Sequence, residues 1–246
     1  MIHPQWPAPE QVKSVCSTRA RGVSMPPYDS LNLGTHVGDD AEHVQQNRSL
    51  LQQTLAAQPI FMEQVHGTRV LEMDASTHNG MVADAAITQA RGVACTVMVA
   101  DCLPVLFCNR QGTLVAAAHA GWRGLADGVL EATVQAMQSL GCEATDILAW
   151  LGPCIGPKAF EVGDEVRATF VQQNAIAASC FAPLTEGKWL ANLAALAQQR
   201  LNALGVLHLY GNDGTAQWCT VSNASTFFSH RRDRISGRQA VCIWLA

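Results

Sequence analysis

The sequence predicts an α+β protein in which β-sheets pack on each other and helices cover the outside. Its 246 residues are 48% apolar and only 15% charged, a composition that is typical of a compact globular chain with a large core. Segments with strand character outnumber the helical ones and do not alternate with them as a regular βαβ fold requires. Because no repeat, linker or low-complexity segment is evident, we expect one domain over residues 1–246.

The N-terminal part of the chain is predicted to form short strands, one helix and a hairpin. Residues 1–40 are rich in Gly, Pro, Ser and Asn, which favours short strands joined by irregular loops. A helix is predicted over residues 41–57, since the pair Asp39-Asp40 suits its N-terminus and apolar residues follow at roughly helical spacing. The apolar segments 59–65 and 68–73 are interpreted as the two strands of a hairpin.

A second hairpin is predicted at the centre of the chain. Residues 105–108 and 113–118 are almost entirely apolar, and the polar stretch 109–112 between them has the composition of a turn. Because a hairpin folds its ends back together, Cys102 and His119 are expected to be neighbours in space. A thiol beside an imidazole suits either a metal site or a nucleophile with its base.

The remaining elements follow from apolar runs and from helical periodicity. Helices are predicted over residues 124–140, 163–173 and 190–204, and strands over residues 83–88, 92–100, 147–151 and 240–245. Gly141 is well placed to end the first of these helices. Together with the two hairpins, these elements give the strand-rich pattern on which the predicted fold class depends.

Charge and cysteine content narrow the classes of function. The net charge of -4 and the 16 scattered basic residues argue against a nucleic-acid-binding protein. No apolar run approaches the roughly 18 residues of a membrane span, and residues 1–6 lack the features of a signal peptide, so we expect a cytoplasmic protein. The nine cysteines include no Cys-x-x-Cys pair, which favours neither a disulfide framework nor a zinc knuckle. No feature suggests an obligate protein partner.

His66 is the candidate for a third metal ligand beside Cys102 and His119. It directly follows an apolar strand, and Gly67 permits close approach of the backbone. A catalytic zinc site commonly uses three protein ligands and leaves the fourth position open. The three residues are too widely spaced to form a regular metal motif, so spacing alone indicates the site only weakly.

Segments along almost the whole chain resemble the signatures of the YfiH/YlmD family. Three segments contain the candidate ligands: Gln64-Val65-His66-Gly67, Ala100-Asp101-Cys102-Leu103-Pro104 and His119-Ala120-Gly121-Trp122-Arg123-Gly124. Further matching segments are Ser30-Leu31-Asn32-Leu33-Gly34 with Gly38-Asp39-Asp40, Leu151-Gly152-Pro153 with Ile155-Gly156-Pro157, and Phe227-Phe228-Ser229-His230-Arg231-Arg232-Asp233. One departure is His230, where the family pattern has Tyr. Members of this family have been called laccase-domain proteins, multicopper polyphenol oxidases, purine nucleoside phosphorylases and peptidoglycan editing factors.

This resemblance implies a fold, a cofactor and two reactions. The fold is a layered α/β/β/α sandwich with mixed sheets, described as YfiH-like or cytotoxic necrotizing factor-like, and His66, Cys102 and His119 form a zinc site. The reactions are phosphorolysis of adenosine, inosine, guanosine and methylthioadenosine, and hydrolytic deamination of adenosine. The expected ligands are therefore Zn²⁺, a purine nucleoside and phosphate, with Cu²⁺ as the alternative metal.

Six further residues are candidates for roles in this chemistry. Asp101 adjoins Cys102 and Glu63 lies near His66, so each is a candidate acid–base group. Because neighbours on a strand point to opposite faces, each carboxylate could equally be structural. The chain has no Gly-rich P-loop, so phosphate would be held by arginines and backbone N–H groups. The candidate substrate and phosphate ligands are Arg48, Arg123, Arg231 and His36; for each arginine a surface or salt-bridge role is equally open.

Other functions are consistent with parts of the sequence. The eight histidines include no His-x-His pair, which disfavours a laccase-like polyphenol oxidase with copper. Cys102 with His119 as its base would make a metal-free hydrolase. A zinc amidase that edits a cell-wall precursor of the UDP-MurNAc-L-Ser type would use the same zinc ligands. A structural zinc site would need a fourth ligand, such as His36 or Cys219.

Overall fold

The computed structural model describes residues 1–246 and contains thirteen strands and six α-helices. The strands are β1 (Val12–Cys16), β2 (Gln58–Phe61), β3 (Val70–Met73), β4 (Ala85–Thr88), β5 (Val93–Val99), β6 (Leu103–Asn109), β7 (Val115–Ala120), β8 (Ile147–Leu151), β9 (Glu161–Gly163), β10 (Phe181–Thr185), β11 (Lys188–Ala191), β12 (His208–Gly211) and β13 (Gln239–Leu245). The helices are α1 (Ala41–Leu55), α2 (Trp122–Asp127), α3 (Val129–Ser139), α4 (Asp164–Gln173), α5 (Leu193–Ala203) and α6 (His230–Asp233).

Two mixed sheets form the centre of the molecule. One has four strands in the order β1-β13-β5-β2, and the other has six in the order β12-β8-β6-β7-β4-β3. Each sheet combines antiparallel pairs with parallel ones, such as β2 with β5 and β3 with β4. A small third sheet, β10-β11-β9, packs beside α4. The predicted α+β class with mixed sheets is therefore confirmed.

Alternating side chains on the strands build the four layers. Ile243 of β13 and Leu106 of β6 lie in the core between the two large sheets. Cys242, the neighbour of Ile243, packs instead with Leu51 of α1 on the outer face of the four-stranded sheet. Phe107 of β6 belongs to the core that the six-stranded sheet forms with α2, α3 and α5. The order is thus helix, sheet, sheet, helices, which is the α/β/β/α sandwich that was expected.

Helix α1 begins where the sequence predicts because Asp40 caps it. The Asp40 carboxylate accepts hydrogen bonds from the backbone N–H groups of Glu42 at 2.8 Å and His43 at 3.2 Å. The helix ends at Leu55, two residues before the predicted end, because Ala56 adopts a left-handed conformation with φ of 51°.

The prediction of one helix over residues 124–140 was wrong. Two helices, α2 and α3, are separated by Gly128, whose φ of 103° is not helical. The prediction of a helix over 190–204 also began too early, because residues Lys188–Ala191 form β11 and the side chain of Asn192 caps α5 through the Ala195 N–H at 3.0 Å. The break at Gly128 leaves α2 as a short separate helix that directly follows the end of β7.

The predicted hairpin of residues 59–65 and 68–73 does not form. Strand β2 pairs with β5 in the four-stranded sheet, whereas β3 pairs with β4 in the six-stranded sheet. Residues 62–69 therefore cross from one sheet to the other, and His66 lies in this crossing segment.

The hairpin predicted at the centre of the chain is confirmed as β6 and β7. Its register pairs Leu103 with Ala120 and Pro104 with His119, so Cys102 immediately precedes the first pair. The Asn109 side chain closes the turn by accepting the N–H groups of Thr113 at 2.9 Å and Leu114 at 3.1 Å. In residues 1–40, only β1 of the several expected short strands is formed. None of the helices combines the length and apolarity needed to cross a membrane.

Candidate metal centre and cleft

Three side chains from three separate segments converge at one end of the six-stranded sheet. The ligand atoms of His66, Cys102 and His119 all lie within 4.8 Å of one another. The Cys102 Sγ is 3.8 Å from the His66 Nε2, and the two imidazole rings meet edge to face with centroids 4.8 Å apart. Nitrogen and sulfur ligands of a tetrahedral zinc lie roughly 3.5 Å from each other. The three donors therefore fit one metal ion after small side-chain movements.

The backbone brings two of these ligands together through the β6–β7 register and the third through a turn. His119 lies near the end of β7, and Cys102 lies just before β6. His66 has a left-handed φ of 61°, which is uncommon for a residue with a Cβ. Its strained turn must therefore be held by contacts elsewhere in the structure.

Asp84 holds the His66 turn. Its carboxylate accepts three consecutive backbone N–H groups, from Val65 at 3.1 Å, from His66 at 2.9 Å and from Gly67 at 2.7 Å. Burial alone would raise the pKa of Asp84, but the hydrogen bonds of His119 and of the Gly67 and Val65 N–H groups hold it below its ordinary value. Although Asp84 is fully buried, these hydrogen bonds favour its carboxylate form.

The same carboxylate orients His119. The His119 Nδ1 donates to the Asp84 Oδ1 at 2.8 Å, which leaves the Nε2 as the nitrogen that faces the other two ligands. This is the carboxylate–histidine arrangement that fixes the tautomer and increases the basicity of metal-binding histidines. Sequence reasoning missed Asp84 as a functional residue. The available signal was a carboxylate inside the apolar stretch 83–87, because a buried charge requires partners.

Two glycines of the segment after β7 make room for the His66 turn. A Cβ on Gly121 would lie 2.8 Å from the His66 Cδ2 and 3.0 Å from the Cys102 Sγ. A Cβ on Gly124 would lie 2.9 Å from the carbonyl oxygen of Gly67. All three distances are shorter than ordinary van der Waals contact. The close approach of α2 to the His66 turn therefore requires glycine at positions 121 and 124.

The histidines favour the thiolate form of Cys102. Burial by itself would raise the pKa of the thiol, but His119 and His66 lower it well below its usual value. For His119, burial would lower the pKa, whereas Cys102 and Asp84 raise it. The eight other cysteines are buried and free, so Cys102 is the one thiol that combines exposure with nearby cationic groups.

No fourth metal-binding side chain completes the cluster. The group of three is the complete set of His, Cys, Asp and Glu side chains that converge in this way. His36 lies elsewhere on the wall of the cleft, and the Cys219 Sγ instead accepts the Gly156 N–H at 3.3 Å. A metal ion held by these three side chains would keep one coordination position open, as catalytic zinc ions do.

The three ligands open into a cleft of about 900 Å³. Its apolar walls include the aromatic rings of Phe61, Trp122 and Phe160. The ionisable residues that line it, apart from the candidate ligands, are His36, Arg48, Glu63, Asp101, His230, Arg231 and Arg238. A volume of this size suits a small organic molecule together with a second small ligand.

The two candidate acid–base groups have different environments. Both oxygens of the Asp101 carboxylate accept a hydrogen bond, one from the Thr220 hydroxyl at 2.6 Å and the other from the backbone N–H of Arg231 at 2.6 Å. These two bonds tie the chain just before Cys102 to the C-terminal segment, and Asp101 has a left-handed φ of 91° there. Glu63 is exposed in the cleft, and its side chain forms no hydrogen bond or ion pair with the protein.

The candidate phosphate ligands are also divided. Arg48, Arg231 and His36 line the cleft. Arg123 is exposed, does not line the cleft and packs over the Trp122 ring at 4.4 Å. Sequence reasoning missed Arg238, a fourth arginine close to the site, because nothing in its sequence context distinguishes it from a surface residue.

Comparison with known proteins places the chain among close relatives. A family model described as multi-copper polyphenol oxidoreductase laccase matches residues 13–246. The purine nucleoside phosphorylase YfiH of Escherichia coli (strain K12) is 51% identical over 247 residues, covering 100% of this chain and 98% of that protein. A purine nucleoside phosphorylase of Pseudomonas aeruginosa is 51% identical, with 99% of this chain and 98% of that protein covered.

Solved structures agree with these sequence matches. Protein NMB0706 of Neisseria meningitidis superposes with a TM-score of 0.93 at 48% identity, covering 99% of this chain and 98% of that one. YlmD from Geobacillus stearothermophilus superposes with a TM-score of 0.90 at 31% identity, covering 96% and 92%. Each comparison spans nearly the whole chain, so none of them depends on a local motif.

Proposed function

The chain belongs to the laccase-domain family that includes the YfiH and YlmD proteins, and we propose that it is a zinc-dependent purine nucleoside phosphorylase that also deaminates adenosine. The proposed substrates of phosphorolysis are adenosine, inosine, guanosine and methylthioadenosine. The names of the relatives support the first activity. The second depends on the chemistry of the site.

One observation carries the proposal: a single cleft contains both a three-ligand centre with an open position and a wall of guanidinium groups. His66, Cys102 and His119 would hold the zinc ion, which when bound supplies Lewis-acid activation at neutral pH. The arginines suit an oxyanion such as phosphate, since guanidinium groups bind phosphate oxygens in pairs. The Trp122 and Phe160 rings offer apolar faces against which a purine can stack.

In phosphorolysis, the residues of the cleft bind two substrates and stabilise a change of charge. A phosphate oxygen forms a bond to C1′ of the ribose while the C1′–N9 bond breaks, and the electron pair of that bond passes to the purine. Arginine side chains hold the anionic phosphate beside the sugar, where positive charge develops at C1′. The departing purine takes up the proton that the hydrogen phosphate loses on forming the ester, and it leaves as the free base. With inosine the other product is ribose 1-phosphate.

In deamination, Glu63 is the carboxylate available for proton transfer. Water adds to C6 of adenosine, and Glu63 takes a proton from the attacking water and returns it to the departing ammonia. Asp101 is less suited to this role because both of its oxygens already accept hydrogen bonds. We therefore assign proton transfer to Glu63 and positioning of the Cys102 segment to Asp101.

The copper oxidase description of the family is less compatible with the site. Only two histidines and one cysteine converge, so the chain gathers ligands for one metal ion. Reduction of oxygen by a multicopper enzyme requires several copper ions with many imidazole ligands. The nine free cysteines suit a reducing compartment, and we propose that the protein acts in the cytoplasm.

Metal analysis combined with product identification tests this function. Zinc-loaded protein is incubated with adenosine or inosine, with and without phosphate, and the products are separated by chromatography. We expect about one zinc per chain, release of base that depends on phosphate, and formation of inosine from adenosine. Folded, zinc-loaded protein that forms neither free base nor inosine would overturn the proposal.

A further inference from the structure

One wall of the cleft carries two guanidinium groups that form no ion pair with a carboxylate. Arg48 and Arg238 both line the cleft and are half-buried, and neither forms an ion pair with an acidic residue. Of the two carboxylates in the cleft, Asp101 has both oxygens engaged and Glu63 is exposed without a partner. Because desolvated charges require compensation, two unpaired guanidinium groups in one cleft indicate a binding site for an anion.

Arg48 is held rigidly from α1. Its Nε donates to the carbonyl oxygen of Leu33 at 2.9 Å, and its guanidinium group stacks over the Phe61 ring at 3.9 Å. Burial lowers the pKa of Arg48 to about 10, a value at which the group is still cationic at neutral pH. A long contact of the Arg48 Nη2 with the Met98 Sδ, at 3.9 Å, is the only other bond of this side chain. Stacking and these two bonds fix the plane of the group and leave Nη1 free for a ligand.

Arg238 enters the same cleft from the segment before β13. Its Nη1 donates to the carbonyl oxygens of Ser236 at 2.8 Å and Gly237 at 3.0 Å, and its Nε and Nη2 have no partner in the protein. Burial lowers the pKa of Arg238, while the negative charges of Cys102 and Asp101 raise it. The guanidinium group lines the same cleft as His66, Cys102 and His119.

The segment Asn32-Leu33-Gly34, which sequence analysis singled out without a role, orients both arginines. The Asn32 Oδ1 accepts a hydrogen bond from the backbone N–H of Arg238 at 2.9 Å, and the Leu33 carbonyl oxygen accepts one from the Arg48 Nε. A Cβ on Gly34 would lie 2.8 Å from the Arg238 Cγ, so glycine leaves the path for that side chain. His36 lies on the same wall of the cleft. Burial lowers the pKa of His36, and the charges of Arg238 and Arg48 lower it further.

We propose that Arg48 and Arg238, with His36 at the rim, form the subsite that binds the phosphate co-substrate. The proposal depends on the proposed function and adds to it the position of phosphate between the Asn32-Leu33-Gly34 segment and the metal ligands. The ribose C1′ then lies between this wall and the centre of His66, Cys102 and His119. Attack by a phosphate oxygen on C1′ releases the purine on the opposite side.

The other two candidate arginines are less suited to this subsite. The Arg231 guanidinium group donates to the carbonyl oxygens of Ala159 and Glu161, at 3.2 to 3.4 Å, and is therefore committed to the loop before β9. Arg123 lies outside the cleft. Because Arg123 packs over the Trp122 ring, the matched control is Arg110, which is exposed at the turn between β6 and β7 and does not line the cleft. Arg110→Gln removes the same charge from the same protein.

Steady-state kinetics of inosine phosphorolysis tests the assignment. For Arg48→Gln and Arg238→Gln, we expect the KM for phosphate to rise at least tenfold, as a lost charge-assisted pair of hydrogen bonds predicts, while the KM for inosine changes less than about twofold. Arg238→Lys should recover part of the loss, and Arg110→Gln should behave like the unmodified protein. An unchanged KM for phosphate in both Gln variants would overturn the proposal.

Calorimetric titration of inorganic phosphate into zinc-loaded protein without nucleoside separates this inference from the proposed function. Weaker binding in Arg48→Gln and Arg238→Gln, with melting temperatures near that of the unmodified protein, supports the subsite even if no base is ever released. Release of base by the unmodified protein, with equal phosphate affinity in all variants, contradicts the subsite and leaves the function standing. Failure of the unmodified protein both to bind phosphate and to release base removes both.

Discussion

Asp84 and His119 are joined twice. The backbone N–H of His119 donates to the Asp84 carbonyl oxygen at 2.7 Å, and the His119 Nδ1 donates to the Asp84 carboxylate at 2.8 Å. Because the same carboxylate also accepts the N–H of His66, one buried acid determines the position of two of the three candidate metal ligands. The metal centre is therefore built as much by Asp84 as by the residues that would touch the ion.

Replacement of Asp84 tests this dependence. In Asp84→Asn, one oxygen becomes an NH₂ group, so the site loses acceptors for the His66 turn and for the His119 Nδ1. We expect zinc affinity to fall by about 10- to 100-fold, the usual effect of removing a carboxylate behind a metal-binding histidine. Competition with a chromogenic chelator measures the affinity. Asp127→Asn, at the exposed end of α2, is the control, and equal affinity in both variants would contradict the assignment.

Cys102 should be the thiol that distinguishes the metal-bound from the metal-free protein. It is the only cysteine that is not buried, and the neighbouring histidines favour its thiolate. We expect iodoacetamide to modify Cys102 first after zinc is removed with a chelator, and zinc to protect it. Peptide mass spectrometry locates the modified residue.

The same experiment separates a metal ligand from a catalytic nucleophile. If Cys102 is a ligand, removal of zinc abolishes activity and added zinc restores it. Full activity in the presence of excess chelator, together with loss of activity on alkylation, would instead support the metal-free hydrolase.

Gly121 is a further point at which a single atom should affect the centre. In Gly121→Ala, the added Cβ would be 2.8 Å from the His66 ring and 3.0 Å from the Cys102 sulfur, so one of the ligands must move. We expect weaker zinc binding and at least a tenfold fall in kcat/KM, since displacements of about 1 Å at a reacting centre have effects of that order. Gly163→Ala is the control, because its Cβ would meet only the end of the exposed Glu165 side chain. Unchanged zinc affinity in Gly121→Ala would contradict the prediction, because it would show that the His66 turn can move without disturbing the ligands.

The central hairpin could be predicted from the sequence because its determinants are local. The apolar strands of β6 and β7 lie on either side of a short polar turn that the Asn109 side chain closes within five residues. The α/β/β/α order came from the family resemblance. Local patterns placed Cys102 and His119 together and indicated His66 only weakly, and the shared motifs strengthened the choice of His66.

The parts that could not be predicted depend on contacts distant in sequence or on single residues. The Gln64 to Gly67 turn resembled a hairpin turn, but β2 pairs with β5 and β3 pairs with β4, so the chain crosses between sheets there. The turn is held by the Asp84 carboxylate, 18 residues beyond His66. Gly128 divides a predicted helix, although one glycine inside a helix costs only about 1 kcal/mol and does not by itself indicate a break. Arg238 acquires its role from packing against Gly34, which no local pattern reveals.

Glu63 and Asp101 should differ in what their replacement changes. Asp101 accepts the Thr220 hydroxyl and the Arg231 N–H in a buried setting, so Asp101→Asn is expected to lower the free energy of unfolding by about 1–3 kcal/mol, the cost of an unsatisfied buried group. The left-handed conformation of Asp101 is tolerated by Asn, so backbone strain does not contribute to this effect. Glu63 is exposed and has no partner, so Glu63→Gln should leave the unfolding free energy within about 0.5 kcal/mol.

In kinetics the order should be reversed, with the larger effect in Glu63→Gln and the smaller one in Asp101→Asn. Glu63→Gln removes the group that transfers protons in deamination, and we expect the kcat for adenosine deamination to fall by about 10²- to 10⁴-fold. Inosine phosphorolysis, in which the proposal gives Glu63 no step, should change much less. Urea unfolding and parallel assays of the two reactions provide the measurements. A large loss of deamination in Asp101→Asn at unchanged stability, with full activity in Glu63→Gln, would exchange the two roles, because proton transfer would then depend on the carboxylate adjacent to Cys102.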